Sequence, residues 1–278
     1  QNDVDLDTVL FANGEVPIDN KGVDEFLSFV ELLKTVEELK SLGYFGSVAD
    51  IDRCVLTPDF HKGSGIPIGT VLSAKGLVIP KAIGNDIGCG MRLLVTDMTL
   101  DEFKSLGREL DAKLRHVFFE GGRGISLTRN QRKALFSEGV QGLVQTPHPK
   151  GGIWDYWDDA QQESDVYKSH NLGCYETNGI FSLNDFIAGS GEISYDSQIG
   201  SIGGGNHFCE LQVIDEIYDS SSSYTWNAQK GHIAIMVHTG SVGIGHLING
   251  HFSDLAQKKY PQGIKHPNNN FYVLPTDK

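Results

Sequence analysis

Two glycine-rich stretches constrain this chain more than any other feature of its sequence. Residues 84–91 read GNDIGCGM and residues 203–208 read GGGNHF, so each stretch places metal-ligating side chains inside a turn. Glycine adopts positive φ without Cβ strain and lets the backbone approach a ligand closely. A third stretch, HTGSVGIGH at residues 238–246, follows an apolar run and repeats the arrangement. The three turns predict an enzyme with a metal-centred site for a polyanionic ligand.

The length and the composition predict a globular chain. The 278 residues are 39% hydrophobic and include 33 glycines, so we expect a single turn-rich domain over residues 1–278 with ample material for a core. The formal net charge of −13 argues against general electrostatic adhesion to nucleic acid or to anionic lipid. Bound metal ions can supply positive charge themselves. A nucleic-acid partner must therefore be inferred from the site.

The cysteines indicate a reducing compartment. Four cysteines are widely spaced and form no CxxC pair, which indicates neither a disulfide framework nor a zinc ribbon. The longest apolar runs, such as residues 233–237, are far too short to span a bilayer. We therefore expect a cytoplasmic protein with no membrane partner.

Periodicity and capping signals predict an α+β fold, with central mixed β-sheets that carry the ligand turns and helices packed outside. Helices are expected over residues 23–42, 99–118, 128–143 and 241–260, the second starting at a capping box of Thr99 and Glu102. Strands are expected over residues 48–56, 68–74, 77–79, 91–96, 207–214 and 232–237, with a surface turn at 220–223.

Cys89 and Asp86 are the first candidate metal ligands. They lie three residues apart in one turn, and a thiolate with a carboxylate suits a borderline divalent ion. A buried free cysteine beside a turn-forming aspartate is the alternative interpretation. The glycines around these residues, and the later histidine turns, favour the metal site.

His207 and His238 complete an N2S ligand set with Cys89, and Asp86 is a further candidate ligand. His207 could instead be a satisfied core histidine on a buried strand. The turn after His238 leads from a strand into a helix, which predicts a phosphate cradle at the helix N-terminus. His61 is expected to contact the substrate or a metal ligand, or else to be a polar loop residue. His246 is expected to be a helix-surface residue or a packing residue.

At this point the motifs resemble those of a known family. The matching segments are PDFHKG at 58–63, PIG at 67–69, NDIGCGM at 85–91, GGGNHF at 203–208 with Glu210, and HTGS at 238–241. In type and order they are similar to the motifs of the RtcB family of tRNA-splicing RNA ligases. The resemblance runs from the first of these loops to the end of the chain.

The resemblance implies a specific activity. Such enzymes join RNA ends that carry a 3′-phosphate or a 2′,3′-cyclic phosphate to a 5′-hydroxyl, using GTP and manganese. A histidine is guanylylated, GMP passes to the RNA 3′-phosphate, and the 5′-hydroxyl then displaces GMP. The implied partner is therefore broken RNA, such as a tRNA, and the implied fold is RtcB-like.

The resemblance also assigns residues. Cys89, His207 and His238 would hold one manganese ion, and Asp86 with Cys89 would contribute to a second. Residues implied near the guanine nucleotide are Asn206, Phe208 and Glu210. The implied catalytic set is Asp86, Cys89, Asn206, His207 and His238.

Two departures from the family pattern leave alternatives open. Val242 stands where family members usually carry an arginine. The chain is also expected to be C-terminally incomplete, because it stops near the start of the portion that holds the guanylylated histidine in the family. A metal-dependent cyclic phosphodiesterase or phosphoesterase, and a non-catalytic metal- or RNA-binding relative, are the alternative functions.

Overall fold

A computed structural model describes residues 6–46, 48–118, 126–176, 193–195 and 199–277 of the chain. The helices of that part are α1 Asn20–Val30, α2 Leu32–Ser41, α3 Pro80–Ile83, α4 Leu100–Ser105, α5 Gly107–Phe118, α6 Arg129–Gln145, α7 Asp159–Tyr167, α8 Ser220–Trp226 and α9 Val242–Lys259. Short 3₁₀ turns occupy Gly152–Tyr156, His170–Gly173 and Asn268–Asn270. None of these helices combines the length and the apolarity that crossing a membrane requires.

The strands are distributed along the whole described part of the chain. They are β1 Asp7–Leu10, β2 Asp50–His61, β3 Ile68–Lys75, β4 Leu77–Val78, β5 Gly90–Thr99, β6 Ser126–Thr128, β7 Ile193–Tyr195, β8 Phe208–Val213, β9 His232–Thr239 and β10 Leu274–Pro275. The predicted α+β class is confirmed. The chain forms two compact units, Gln1–Asn85 with Leu247–Lys278 and Asp86–His246. The expectation of a single domain over residues 1–278 remains a prediction.

The first unit is built on a mixed sheet and a helical layer. Its sheet has the order β1-β2-β3, with β1 parallel to β2 and β3 antiparallel to β2, while β4 pairs with β10. The core joins α1 and α2 to the C-terminal segment, where the rings of Phe29 and Phe271 meet edge to face at 5.4 Å. Fully buried core residues include Val36, Leu39 and Val273. Apolar burial of this kind is the main source of stability.

Two carboxylates of the first unit anchor the loop after β2. The side chain of Asp19 caps α1 by accepting from the amide of Lys21 at 3.0 Å, and its second oxygen accepts from the amide of Lys62 at 2.8 Å. Glu25 accepts from the amides of Gly63 and Gly65 at 2.6 and 2.5 Å. Charge-assisted hydrogen bonds of this type are stronger than neutral ones. The loop is therefore tied to α1 at three amides.

Replacing Asp19 by Ala will give a pH-dependent loss of stability. The hydrogen bond from the Lys62 amide lowers the pKa of Asp19, and burial opposes this only in part. The ionised carboxylate thus stabilises the folded state above the unfolded pKa of about 3.9, and this contribution is lost as pH falls through the lower folded pKa. We expect Tm to fall by roughly 2–4 °C at neutral pH, and we expect this deficit to shrink as pH falls through the lowered folded pKa, measured by circular dichroism.

Asp24→Ala is the matched control for this variant, because Asp24 is an exposed carboxylate on the same helix. Its Tm should follow the wild type throughout this pH range. An Asp19→Ala deficit that persists at low pH would show that the carboxylate charge is not its cause.

The second unit is built on an antiparallel sheet of order β5-β9-β8, and β6 pairs with β7. The central strand β9 runs antiparallel to both neighbours, so its C-terminal end lies beside the starts of β5 and β8. The register pairs Gly90 with Thr239 and Phe208 with His238. All three ligand-bearing turns are thus brought to one end of one sheet.

Most predicted elements are confirmed, with differences at breaks and ends. Thr99 and Glu102 form the expected capping box, and the last long helix spans Val242–Lys259. The helix expected over 23–42 is two helices that meet at Glu31, and the helix expected over 99–118 divides at Gly107, whose φ is +62°. The surface turn expected at 220–223 is wrong, because helix α8 begins there with Asp219 as its cap.

Candidate metal centre

Cys89, His207 and His238 converge at one end of the antiparallel sheet of the second unit. One ligand atom from each, the Cys89 sulfur and one imidazole nitrogen of each histidine, lies within 4.8 Å of the other two. The Cys89 Sγ is 3.8 Å from Nε2 of His207, and the two imidazole rings have centroids 5.5 Å apart. The structure therefore brings together the three residues expected to share a metal. Their role as ligands stays a prediction.

Asp86 links this cluster to the start of α9. Its Oδ2 accepts from the Cys89 thiol at 2.8 Å and also contacts Nε2 of His207, while its Oδ1 accepts from the amide of Val242 at 2.9 Å. Burial would raise the pKa of Asp86, but hydrogen bonds from Cys89, Val242 and His207 outweigh it and hold this pKa below its ordinary value. Asp86 is thus an oriented carboxylate that stays ionised.

The Cys89 thiol carries a proton in this arrangement. Although the residue as a whole is exposed, desolvation by its neighbours, followed by the hydrogen bond and the charge of Asp86, raises the pKa of Cys89 to about 11. Cysteine binds metals as the thiolate. A divalent ion that binds here must therefore displace this proton.

Two imidazole nitrogens at the cluster are buried and unsatisfied. Within the part of the chain that the structure describes, Nδ1 of His207 and Nε2 of His238 have no hydrogen-bond partner. Nδ1 of His207 lies next to Gly203, whereas its Nε2 faces Cys89 and Asp86, so the unpaired atom that bears on metal binding is Nε2 of His238. Leaving a buried polar atom unpaired is costly, and a bound metal ion is a common reason for such an atom. Imidazole, thiolate and carboxylate donors together fit a borderline divalent ion. The residues present therefore fit a bound metal, and the donor types admit manganese among others.

Glycines permit the close packing around Asp86 and His207. A Cβ at Gly240 would lie 2.5 Å from both carboxylate oxygens of Asp86, and a Cβ at Gly203 would lie 2.5 Å from Nδ1 of His207. A Cβ atom does not approach another heavy atom this closely in proteins. Each position therefore requires glycine, unless the side chain of Asp86 or His207 moves away. The glycines of these runs thus let Asp86 and His207 approach the backbone closely, in addition to permitting the turns.

Val242 contributes its backbone to the site. It has a φ of +44°, which is unusual for a β-branched residue, and its amide faces Asp86. The sequence predicts a phosphate cradle at Gly240 and Ser241, where the strand turns into the helix. In the structure the first amide of α9, that of Val242, already donates to the carboxylate of Asp86. The turn still borders an open cavity of about 510 Å³, whose lining includes Gly88, Gly90, Gly240 and Ser241.

Phe208 and Glu210 lie on the same face of β8. The strand begins at Phe208, so His207 precedes it, and the register pairs Phe208 with His238 and Glu210 with Met236. The Phe208 ring stacks on the His238 ring with centroids 5.4 Å apart and planes 18° apart. Glu210 accepts from the side-chain amide of Gln212 at 3.0 Å. Asn206 is exposed in the preceding turn.

The cluster does not include the other two histidines considered in the sequence. His61 ends β2 in the first unit, where its Nδ1 is 2.6 Å from the carbonyl oxygen of Asp59. His246 is exposed on α9, as expected. Met91 was missed by the sequence reasoning, although its Sδ lies 2.9 Å from Nδ1 of His238. Its place two residues after Cys89, at the start of a strand, was the available signal.

Comparison with known proteins identifies the motif set. The sequence model of the family described as tRNA-splicing ligase RtcB matches residues 46–278. The chain is 29% identical to a tRNA-splicing ligase RtcB of Nanoarchaeum equitans over 271 residues, which covers 94% of this chain and 52% of that protein. It is 30% identical to a tRNA-splicing ligase RtcB of Pyrobaculum aerophilum, covering 80% of this chain and 44% of that protein.

A bacterial relative matches in the same way. The chain is 30% identical over 239 residues to an RNA-splicing ligase RtcB of Mycobacterium bovis, which covers 78% of this chain and 49% of that protein. The chain thus spans about half the length of the curated relatives it matches.

Proposed function

Because this chain belongs to the RtcB family, we propose that it carries the metal-holding part of an RNA ligase that joins broken RNA ends. The proposed substrates are an RNA with a 3′-phosphate or 2′,3′-cyclic phosphate and an RNA with a 5′-hydroxyl, and the proposed cofactors are manganese and GTP. The observation that carries this proposal is the cluster of Cys89, His207 and His238 within 4.8 Å, in a chain that matches the family along most of its length.

The residues of the centre have distinct proposed roles. Cys89, His207 and His238 would hold one ion, and Asp86 with Cys89 would hold a second. A divalent ion supplies charge that orients phosphate oxygens and stabilises the charge that develops on them. Asp86 is ionised, and the Val242 amide orients it so that its other oxygen already lies beside Cys89 and His207.

The face of β8 beside the metal centre is the proposed guanine-nucleotide site. Phe208 presents a ring that already stacks on His238, and Glu210 follows it on the same exposed face. A carboxylate is an acceptor for the amino and imino hydrogens that guanine offers along one edge. Asn206 adds an exposed amide beside His207. These three side chains would bind and orient the nucleotide.

Ligation by the protein expressed from its complete reading frame tests the proposal. Incubation with manganese, GTP and RNAs bearing a 2′,3′-cyclic phosphate and a 5′-hydroxyl should yield joined RNA on a denaturing gel. Cys89→Ala should reduce the rate by at least about 100-fold, because it removes an atom shared by both proposed ions. Cys174→Ala, at a cysteine outside the cluster, should retain the rate.

The result also separates the alternative functions. Opening of the cyclic phosphate without GTP, with no joined product, would identify a phosphodiesterase in place of a ligase. Binding of RNA without turnover in any divalent metal would identify a non-catalytic relative. Either result contradicts the proposed ligase.

A further inference from the structure

A second cavity, of about 590 Å³, lies wholly within the first unit. Its walls are the segment from Ser64 to Thr70 that leads into β3, helix α3 with the two residues after it, one side of α9, and Asn270 with Tyr272. The volume falls in the range of about 300–1,000 Å³ that is typical of small-molecule sites. None of the predicted metal or nucleotide residues lines it.

One wall of this cavity is rigidly held. The buried side chain of Asn249 donates to the carbonyls of Pro80 and Gly84 at 2.9 and 2.8 Å, and Ser253 donates to the Asn249 amide oxygen at 3.2 Å. These bonds join α9 to α3 and leave few polar groups of that wall free to move. A preorganised wall lowers the entropic cost of binding a ligand.

The lining combines uncharged polar groups with an apolar rim. Exposed amides are supplied by Asn85, Gln257 and Asn270, while the large apolar side chains of Ile68 and Ile83 are 42% and 61% exposed. Amides offer both donors and acceptors, which suits the edges of a nucleobase and the hydroxyls of a ribose. Exposed apolar side chains suit the face of a base.

The charges of the lining limit the ligand. Lys81 is its only cation and Asp254 its only carboxylate among the described residues. The Lys81 ammonium donates to the carbonyl of Asn269, which leaves donors for one further anionic group. A triphosphate would bring more negative charge than one lysine beside one aspartate can balance. A ligand with a single phosphate fits.

Thr70 lines the cavity and adds one further polar group to its wall. Its hydroxyl is buried, and it has no hydrogen-bond partner among the described residues. Such a hydroxyl is unfavourable unless something satisfies it. Rotation about the Cα–Cβ bond is all that a threonine needs to present its hydroxyl to another acceptor or donor.

We propose that this cavity binds a single nucleotide within a strand of RNA. The base would pack against Ile68 and Ile83, the ribose would meet the amides of Gln257 and Asn270, and one phosphate would lie at Lys81. That the nucleotide belongs to an RNA strand rests on the proposed ligase function, since a free mononucleotide offers the same base, ribose and phosphate groups. The exposed rim leaves room for the neighbouring nucleotides on either side.

Binding of a fluorescein-labelled single-stranded RNA of ten nucleotides tests this inference. Anisotropy would be measured with EDTA present, so that the metal centre does not contribute. Lys81→Gln should weaken binding by about tenfold and lower the slope of log affinity against log salt by about one. Gln257→Ala should weaken binding by several fold. Lys265→Gln and Gln262→Ala, which make the same changes outside the cavity, should bind as the wild type does.

Site-specific crosslinking separates this inference from the ligase proposal. The same RNA carrying 4-thiouridine should crosslink to peptides within residues 64–85 and 249–272, and His238→Ala should leave those crosslinks intact while it removes ligation. Crosslinks confined to other residues, or unchanged affinity in both cavity variants, would overturn the nucleotide site even if ligation occurs. Binding of AMP or UMP with no binding of the RNA strand would also overturn it.

Discussion

Replacing His238 by Ala will reduce the manganese affinity of this chain by more than about 100-fold. Changes to residues that only orient metal ligands already cost roughly 10–100-fold, so removing a ligand should cost more. His238 has a buried Nε2 with no partner in the described part of the chain, so its removal breaks no hydrogen bond at that atom. Isothermal titration calorimetry with manganese, or the EPR signal of the free ion, measures the change.

His246→Ala is the matched control for this experiment. His246 is an exposed histidine on the same stretch of chain and lies outside the cluster. Its variant should bind manganese with wild-type affinity and melt at the wild-type temperature. Equal manganese affinity in His238→Ala and the wild type would show that the convergence of Cys89, His207 and His238 does not serve a metal. Ligation should fall in parallel with metal affinity.

Replacing Gly240 by Ala will disable the same site without removing any ligand. The added methyl group would lie 2.5 Å from both carboxylate oxygens of Asp86, so Asp86 must move. Its bonds to Cys89, His207 and the Val242 amide would break together. We expect manganese affinity to fall by roughly 10–100-fold, as it does when residues around metal ligands are changed. Calorimetry measures the affinity, and circular dichroism reports whether the fold is retained.

Gly204→Ala controls for the general effect of adding a methyl group near this centre. A Cβ at Gly204 would meet no atom within 4 Å, and its backbone has no positive φ. That variant should keep both its manganese affinity and its melting temperature. If Gly240→Ala also binds manganese normally, Asp86 neither holds nor orients the ion.

Local sequence signals predicted local structure well. The capping box predicted at Thr99 begins a helix as such a signal requires, because both of its partners lie within four residues of each other. The breaks at Glu31 and Gly107 were not predicted, because apolar spacing continues across them. Periodicity reports which face is apolar and does not report whether the backbone stays helical.

The candidate site was predicted as a set of residues but not as a set of contacts. Glycine turns singled out Cys89, His207 and His238, since side chains that can ligate a metal are unusual inside such runs. The hydrogen bond between the Val242 amide and Asp86 crosses 156 positions in the chain. No property of either residue type indicates that bond, because any amide could have made it.

The family of this protein and the choice of candidate ligands follow from its sequence alone, since motif order and residue type can be compared without coordinates. Only the tertiary structure decided that the starts of β5 and β8 meet the end of β9, that Asp86 faces the start of α9, and that a polar cavity opens in the first unit. Each of these depends on strand register or on helix packing across distant segments. Such long-range pairings are selected by the free energy of the whole fold, which no local window of sequence contains.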